Sequence, residues 1–143
     1  MKPLFVDTSG WMACVDAADP ASERAIAVRN DSLRHGRTLI TTDYVVDETL
    51  TLLRVRLGLK VAEMWWREID ESALLRWEWI DAERAERARQ EFFRQDDKAY
   101  SFTDCTSMVV MHELKLKQVL TTDRDFARMG FEIVPALRRP RRR

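Results

Sequence analysis

Short apolar runs alternate with stretches of helical periodicity along most of the chain, which is typical of a parallel α/β protein. Four of the runs are mostly apolar, and residues 75–79 alternate apolar and polar positions, as a strand with one covered face does. The five predicted strands are residues 4–6, 38–40, 75–79, 118–121 and 131–134. Their order among the helices predicts one central parallel β-sheet of about five strands, flanked by helices on both faces.

Polar capping residues and glycines define the predicted helices. The predicted N-caps are Thr8 or Ser9, Asp19, Thr42 or Asp43, Asp81 and Thr103. Gly36 and Gly58 follow the second and third helices, where glycine is a common helix terminator. Residues 59–69 continue as a further helix, and Asp123 opens a short helical turn before the last strand.

The composition fits a single domain outside the membrane. The chain has 143 residues, of which 45% are hydrophobic and 34% charged, and no apolar run approaches the ~20 residues that span a bilayer. Only residues 4–6 are apolar before Asp7, so we expect no signal peptide and a cytoplasmic location. Cys14 and Cys105 lie in apolar surroundings and are predicted to be buried thiols, because their spacing suits neither a disulfide framework nor zinc.

Charge divides the chain into an acidic body and a basic terminus. The net charge is zero, yet five of the last six residues are arginines, and the rest of the chain has a net charge of −5. We therefore predict a domain over residues 1–137 and a disordered basic tail over residues 138–143. Clustered arginines neutralise phosphates, which favours a polyanionic partner; the alternative is a solvated terminus without a partner.

Four carboxylates occupy positions that a parallel sheet would bring together. Asp7 and Asp123 follow predicted strands, Asp104 follows a predicted cap residue, and Glu48 lies about one turn into a helix. The carboxyl ends of parallel strands share one edge, where ligands bind. Clustered carboxylates need a counter-charge, and Mg²⁺ or Mn²⁺ prefers their oxygens. One or two such ions can activate water and stabilise the leaving oxygen of a phosphodiester. The alternative for each acid alone is ordinary capping or solvation.

A helix N-terminus favours an ionised carboxylate, so Asp104 is predicted to stay charged.

Two ambiguities concern neighbouring acids. Side chains two positions apart on a helical turn point in different directions, so only one of Asp123 and Asp125 is expected to serve the site, and Asp123 is preferred because it comes first after the strand. Glu48 is preferred to Asp47 for its longer reach.

The four segments resemble the PIN-domain ribonucleases, and within them the VapC-type toxins of bacterial and archaeal toxin–antitoxin pairs. The likeness runs from Leu4 to Val134. It implies a five-stranded parallel sheet and Mg²⁺- or Mn²⁺-dependent hydrolysis of RNA. The positions that match the family's acids are Asp7, Glu48, Asp104 and Asp123, and those that match its small hydroxyl residues are Thr8, Ser9 and Thr121. The resemblance also implies a homodimer and a small antitoxin that covers the acids.

Other readings of the acids compete with this one. A haloacid-dehalogenase-like phosphatase would need a second aspartate at the position of Ser9, and the four glycines do not form a phosphate-binding loop. The remaining alternative is a catalytically silent PIN-like binding or scaffold module.

The adjacent Trp65 and Trp66 cannot both face one core, so one of them is expected at a contact surface. The alternative is partial burial within the domain.

Overall fold

The structure is a computed structural model that describes residues 1–96 and 100–136 of the chain. Five strands form one sheet: β1 (Leu4–Val6), β2 (Leu39–Thr42), β3 (Leu75–Glu78), β4 (Gln118–Leu120) and β5 (Glu132–Val134). The helices in these ranges are α1 (Thr8–Val15), α2 (Ser22–Arg34), α3 (Asp43–Leu57), α4 (Leu59–Glu71), α5 (Ala82–Arg94), α6 (Phe102–Glu113) and α7 (Asp125–Arg128). Among them, no helix is long and apolar enough to cross a membrane.

The sheet is parallel throughout, in the order β3-β2-β1-β4-β5. From β1 the chain moves outward through β2 to β3, then crosses back to β4 and moves outward the other way. Right-handed crossovers therefore place α1 to α4 on one face and α5 to α7 on the other. The direction of winding changes between β1 and β4, and open α/β sheets bind ligands at the carboxyl ends of the strands at such a point. The predicted fold class is confirmed.

The central strands and α6 supply most of the core. Leu4, Phe5 and Val6 are fully buried, as expected for a central parallel strand covered on both faces. Residues 105–111 of α6 are all buried. Cys14 and Cys105 are buried free thiols, as predicted. The predicted tail at residues 138–143 and the domain boundary at 137 lie outside the described residues.

Three helix starts differ from the predictions: other side chains cap α1 and α6, and α2 begins later without a side-chain cap. Asp7 caps α1, rather than Thr8 or Ser9. Asp19 accepts a hydrogen bond from the N–H of Ala21 in a turn, so α2 begins at Ser22. Ser101 caps α6 instead of Thr103, which makes Asp104 the third rather than the first residue of that helix. The predicted caps Thr42 and Asp81 are confirmed.

Candidate active site

The carboxylate of Asp7 lies at the point where the winding of the sheet changes. Asp7 follows β1, is only 4% exposed, and accepts a hydrogen bond from the N–H of Gly10 at 2.9 Å. Ser9 Oγ donates to Asp7 Oδ1, and Thr121 Oγ1, just after β4, donates to Asp7 Oδ2, both at 2.9 Å. Both carboxylate oxygens are therefore held, so the backbone and two hydroxyl groups fix the orientation of Asp7.

The same two hydroxyls hold the segment after β4. Ser9 Oγ accepts from the N–H of Thr122, and Thr121 Oγ1 accepts from the N–H of Asp123, each at 2.9 Å. The two hydroxyl oxygens are also 2.9 Å apart. Each hydroxyl has a single proton, so when both donate to an ionised Asp7 no hydroxyl proton remains between Ser9 and Thr121. If Asp7 is protonated, it can donate to one of the two hydroxyls, and that hydroxyl can then donate its own proton to the other.

Burial governs the protonation of the two most enclosed acids. Removal from water raises the pKa of Asp7 to about 7, although its three hydrogen bonds oppose the rise, and the charge of Asp104 adds to it. The pKa of Asp104 is raised to about 6, mainly by burial. The charge of Asp123 is the next largest cause of this rise, and the charge of Glu48 adds to it. Asp104 is thus electrostatically linked to each of the other three predicted site acids.

The effect on Asp104 is opposite in direction to the sequence-based prediction. The helix N-terminus was expected to favour its ionised form, and Ser101 does donate to the Asp104 carboxylate in a capping box. Desolvation and the neighbouring carboxylates outweigh these contacts. With a pKa of about 6, Asp104 still ionises at pH 7, but at a cost that a nearby cation would remove.

All four predicted acids line one cleft of about 350 Å³ at the carboxyl edge of the sheet. Glu48 reaches it from α3, Asp104 from α6, and Asp7 and Asp123 from the ends of β1 and β4. Asp125 does not line this cleft and lies within 3.3 Å of Arg128. Asp123 Oδ1 instead accepts the N–H of Asp125, which shapes the turn before α7.

The cleft also contains two charged residues that the sequence reasoning missed as site residues, Asp19 and Arg56. Arg56 follows Glu48 at two successive i+4 steps on α3, with Leu52 between them, so all three share one face of the helix. That spacing is a signal that could have found Arg56. Asp19 had no comparable signal, because its position before Pro20 fits a helix cap equally well.

Gly10 sets the distance between α1 and the end of β4. A Cβ built on Gly10 would lie 2.1 Å from the backbone oxygen of Leu120, closer than any real contact permits. Only glycine therefore lets α1 approach β4 closely enough for Asp7 to meet Thr121. The residue has an ordinary helical backbone, so its role is close approach and not conformational freedom.

The donor set fits a hard divalent cation, although the carboxylates are not already drawn together around one. In residues 1–96 and 100–136, no three His, Cys, Asp or Glu side chains stand in the arrangement of a metal site. The cleft nevertheless gathers oxygen ligands of the kind that Mg²⁺ and Mn²⁺ prefer. Two of these acids have raised pKa values because burial makes their ionised forms costly, and a bound cation would offset that cost.

Comparisons with known proteins agree with this architecture. The model of the PIN domain matches residues 4–132. The 23S rRNA-specific endonuclease VapC20 of Mycobacterium tuberculosis is 32% identical over 138 residues, which cover 90% of this chain and 95% of the relative. A VapC ribonuclease of Archaeoglobus fulgidus is 36% identical over 96 residues, 66% of this chain and 60% of the relative.

Two solved structures share the fold. The crystal structure of Mycobacterium tuberculosis VapC20, described as a sarcin–ricin loop cleaving toxin, has a TM-score of 0.82 at 32% identity, covering 90% of this chain and 96% of its own. FitAcB from Neisseria gonorrhoeae has a TM-score of 0.64 at 17% identity, covering 91% and 95%. At that lower identity FitAcB supports the fold alone.

The fold and the cleft define an α/β protein with a carboxylate site at the ends of its central strands. The chain belongs to the PIN-domain family. The predicted family, its VapC-type relationship and the nuclease class are confirmed by these comparisons. The roles of Asp7, Glu48, Asp104 and Asp123 stay predictions.

Proposed function

We propose that the chain is a VapC-type endoribonuclease that hydrolyses RNA phosphodiester bonds with the acids Asp7, Glu48, Asp104 and Asp123. The observation that supports this assignment most is the convergence of the four carboxylates in one cleft, where Asp104 interacts electrostatically with the other three. VapC20 is named for cleavage of 23S rRNA and of the sarcin–ricin loop. That RNA is therefore the first substrate to test.

The four acids would hold one or two Mg²⁺ or Mn²⁺ ions. A bound divalent ion lowers the pKa of water and stabilises negative charge on phosphate oxygens. Four ionised carboxylates carry enough charge to balance two such ions. Like charges disfavour closer approach while no cation lies between them, so the carboxylates are expected to adjust when an ion binds.

Other residues in the cleft and directly behind it orient the acids and the substrate. Ser9 and Thr121 hold Asp7 through both of its oxygens, and Thr121 also fixes the backbone at Asp123. Arg56 lines the cleft and forms no ion pair within the described residues. Its guanidinium is suited to bind an RNA phosphate beside the acids.

The reaction adds one water across a phosphorus–oxygen bond. The water oxygen bonds to phosphorus and loses its proton, while the leaving oxygen departs with the electron pair of the broken bond and gains a proton. A carboxylate near neutral pKa is able to accept a proton at physiological pH. In the metal-free protein, burial raises the pKa of Asp7 to about 7 and that of Asp104 to about 6.

A toxin of this class acts with partners, and we propose three for this chain. The substrate is RNA. A small antitoxin protein would cover the acidic cleft, where one of its arginines could neutralise the carboxylates in place of metal. A second copy of the chain would form a homodimer. VapC20 is itself described as a toxin, which supports the antitoxin more directly than the dimer.

Cleavage of a 23S rRNA fragment containing the sarcin–ricin loop, and of an unstructured labelled RNA, tests the proposal. Wild-type protein is expected to cut with Mg²⁺ or Mn²⁺ and to stop cutting when EDTA is added. The Asp104→Asn variant keeps the shape of the side chain and removes its charge, so it is expected to fold, as circular dichroism can verify, and not to cut. The matched control is Asp125→Asn, since Asp125 lies outside the cleft.

Equal cleavage by wild type and Asp104→Asn would refute the assignment of the site. Absence of cleavage by every sample, across both RNAs and both metals, would instead favour the catalytically silent binding or scaffold module.

A further inference from the structure

A second groove, of about 640 Å³, lies on the other side of α3 from the acidic cleft. It runs along the edge strand β3 between α3 and α4, and we call it the tryptophan groove. Its lining residues are Asp43, Val46, Asp47, Leu50, Trp66, Asp70, Trp77 and Trp79. The α3 residues among them recur at i, i+3, i+4 and i+7, which is one face of a helix. None of them lines the acidic cleft.

Three tryptophans form a continuous aromatic surface in this groove. Trp77 stacks on Trp79, with ring centroids 5.5 Å apart and planes 20° apart. Trp66 meets Trp77 edge to face at 5.9 Å. Trp79 is 63% exposed and Trp66 is 37% exposed, whereas its neighbour Trp65 is only 3% exposed. Trp66 is therefore the tryptophan of that pair at the surface, and its place in a contact surface stays a prediction.

The charged residues of the groove all have the same sign. Asp43, Asp47 and Asp70 line it, and none of its lining residues is basic. Asp43 Oδ1 accepts the N–H of Ile80 at 2.8 Å, which fixes that carboxylate beside the end of β3. Asp47 and Asp70 are exposed and form no ion pair within the described residues.

Indole faces and carboxylates attract the same chemical group. A guanidinium ion stacks on an aromatic face and pairs with a carboxylate through its fork of N–H donors. Phosphates, by contrast, are repelled by three negative charges. The combination of an exposed Trp79 face with Asp47 and Asp70 therefore selects a basic ligand over a nucleic acid.

We propose that the tryptophan groove is a docking site for an arginine-bearing segment of a partner protein. An arginine of that segment stacks on Trp79 and extends the Trp77–Trp79 stack, while Asp47 or Asp70 pairs with a guanidinium. Apolar side chains of the segment contact Val46, Leu50 and Trp66. The proposal does not depend on nuclease activity, since the groove and the acidic cleft use opposite faces of α3.

Fluorescence anisotropy with a short labelled peptide, in which arginine alternates with leucine, tests the proposal on the full-length protein. Trp79→Ala is expected to weaken peptide binding by roughly 2- to 30-fold, the range that a cation–π contact supplies. Asp70→Asn is expected to weaken it by about 2- to 5-fold, as for an exposed ion pair. A peptide with lysine in place of arginine should bind less tightly, because lysine lacks the planar stacking surface.

Matched controls distinguish the groove from other aromatic or acidic surfaces. Phe93 is 78% exposed and lies on α5, so Phe93→Ala should leave peptide binding unchanged. Asp104→Asn should also leave it unchanged, which would exclude the acidic cleft as the binding site. Cleavage of RNA by Trp79→Ala should equal that of wild type, because Trp79 lies outside the cleft.

Three results would overturn the proposal. The first is equal peptide affinity for Trp79→Ala and wild type. The second is a loss of RNA affinity in Trp79→Ala with peptide affinity retained, which would make the groove an RNA surface. The third is a change of oligomeric state in Trp79→Ala by sedimentation, with peptide affinity retained, which would make it a contact between copies of the chain.

Discussion

Asp47 and Glu48 are adjacent in the sequence, yet they belong to two different acidic regions on opposite faces of α3. Glu48 lines the cleft with Asp7, Asp104 and Asp123, and Asp47 lines the tryptophan groove with two other aspartates. Both regions collect several carboxylates. They differ in burial and in what surrounds the charges.

Burial decides what each acidic region can bind. In the cleft, removal from water raises the pKa of Asp7 to about 7 and that of Asp104 to about 6, so ionisation there is costly without a counter-charge. In the groove, Asp47 and Asp70 are exposed beside indole rings. A small divalent ion would offset the cost of ionising the buried carboxylates of the cleft. A larger organic cation that stacks on tryptophan would suit the exposed aspartates of the groove.

The sharpest test of this contrast replaces the two adjacent acids separately. Glu48→Gln removes one carboxylate of the cleft and is expected to lower kcat for RNA cleavage by more than about 100-fold. Mutating a residue that only hydrogen-bonds to a metal ligand already lowers metal affinity or activity by ~10–100-fold. Asp47→Asn is expected to cut RNA at the wild-type rate. Equal losses in single-turnover assays would show that the two faces of α3 do not have separate roles.

Two buried threonines test whether the hydroxyls orient the cleft. Thr121→Val removes a donor to Asp7 and an acceptor for the N–H of Asp123, so cleavage is expected to fall by roughly 10–100-fold. Its matched control is Thr41→Val in β2, whose buried hydroxyl has no hydrogen-bond partner. Thr41→Val should keep wild-type cleavage and equal or greater stability. Similar activity of the two variants would remove the orienting role.

Replacing Arg56 tests whether this cleft residue contacts an RNA phosphate. Arg56→Ala is expected to weaken RNA binding and to reduce the slope of log affinity against log salt by about 0.7–0.9, the effect of one lost phosphate contact. Arg54→Ala changes the same charge on another face of α3, outside the cleft lining, and should leave the slope unchanged. Identical slopes for both variants would exclude Arg56 as a phosphate contact.

The smallest expected effect concerns the stability of the metal-free protein. The folded pKa of Asp7, about 7, exceeds its ordinary value of 3.8, so between these pH values the folded state binds more protons than the unfolded state. The contribution of Asp7 to the free energy of unfolding therefore falls as pH rises through this window, and Asp104 acts in the same direction up to about pH 6.

In EDTA, this predicts that Asp104→Asn loses less thermal stability than wild type between pH 5 and pH 7.5, by a few degrees in unfolding temperature. Mg²⁺ at pH 7.5 should raise the unfolding temperature of wild type more than that of the variant. Scanning calorimetry measures both differences. Parallel pH profiles for the two proteins would contradict the proposed cost of ionising the cleft.

The sequence predicted the parts of the site that depend on strand ends. Asp7 and Asp123 could be found because each follows an apolar strand, and parallel strands bring their carboxyl ends to one edge. Glu48 was preferred to Asp47 for its longer reach and for the family resemblance. The raised pKa of Asp104 was missed because burial at a helix start depends on how α3, α6 and β4 pack together.

The features that escaped prediction depend on contacts between distant segments. Gly10 fits a helix in sequence, and only the 2.1 Å approach to Leu120 shows why a side chain is excluded there. The tryptophan groove was only partly predictable: adjacency showed that one of Trp65 and Trp66 faces outward, whereas the stack of Trp77 on Trp79 and the ring of aspartates needed the structure.

Calorimetric titration of Mn²⁺ at pH 7.5, with buffers of different ionisation enthalpy to count released protons, asks whether the buried cleft holds the metal. Wild type and Asp47→Asn are expected to bind Mn²⁺ with similar affinity and to release part of a proton, because cation binding displaces the fraction that Asp7, with a pKa of about 7, still holds at this pH. Asp104→Asn should bind much more weakly. Undiminished binding by Asp104→Asn, or binding lost in Asp47→Asn, would contradict the assignment of the metal to the buried cleft.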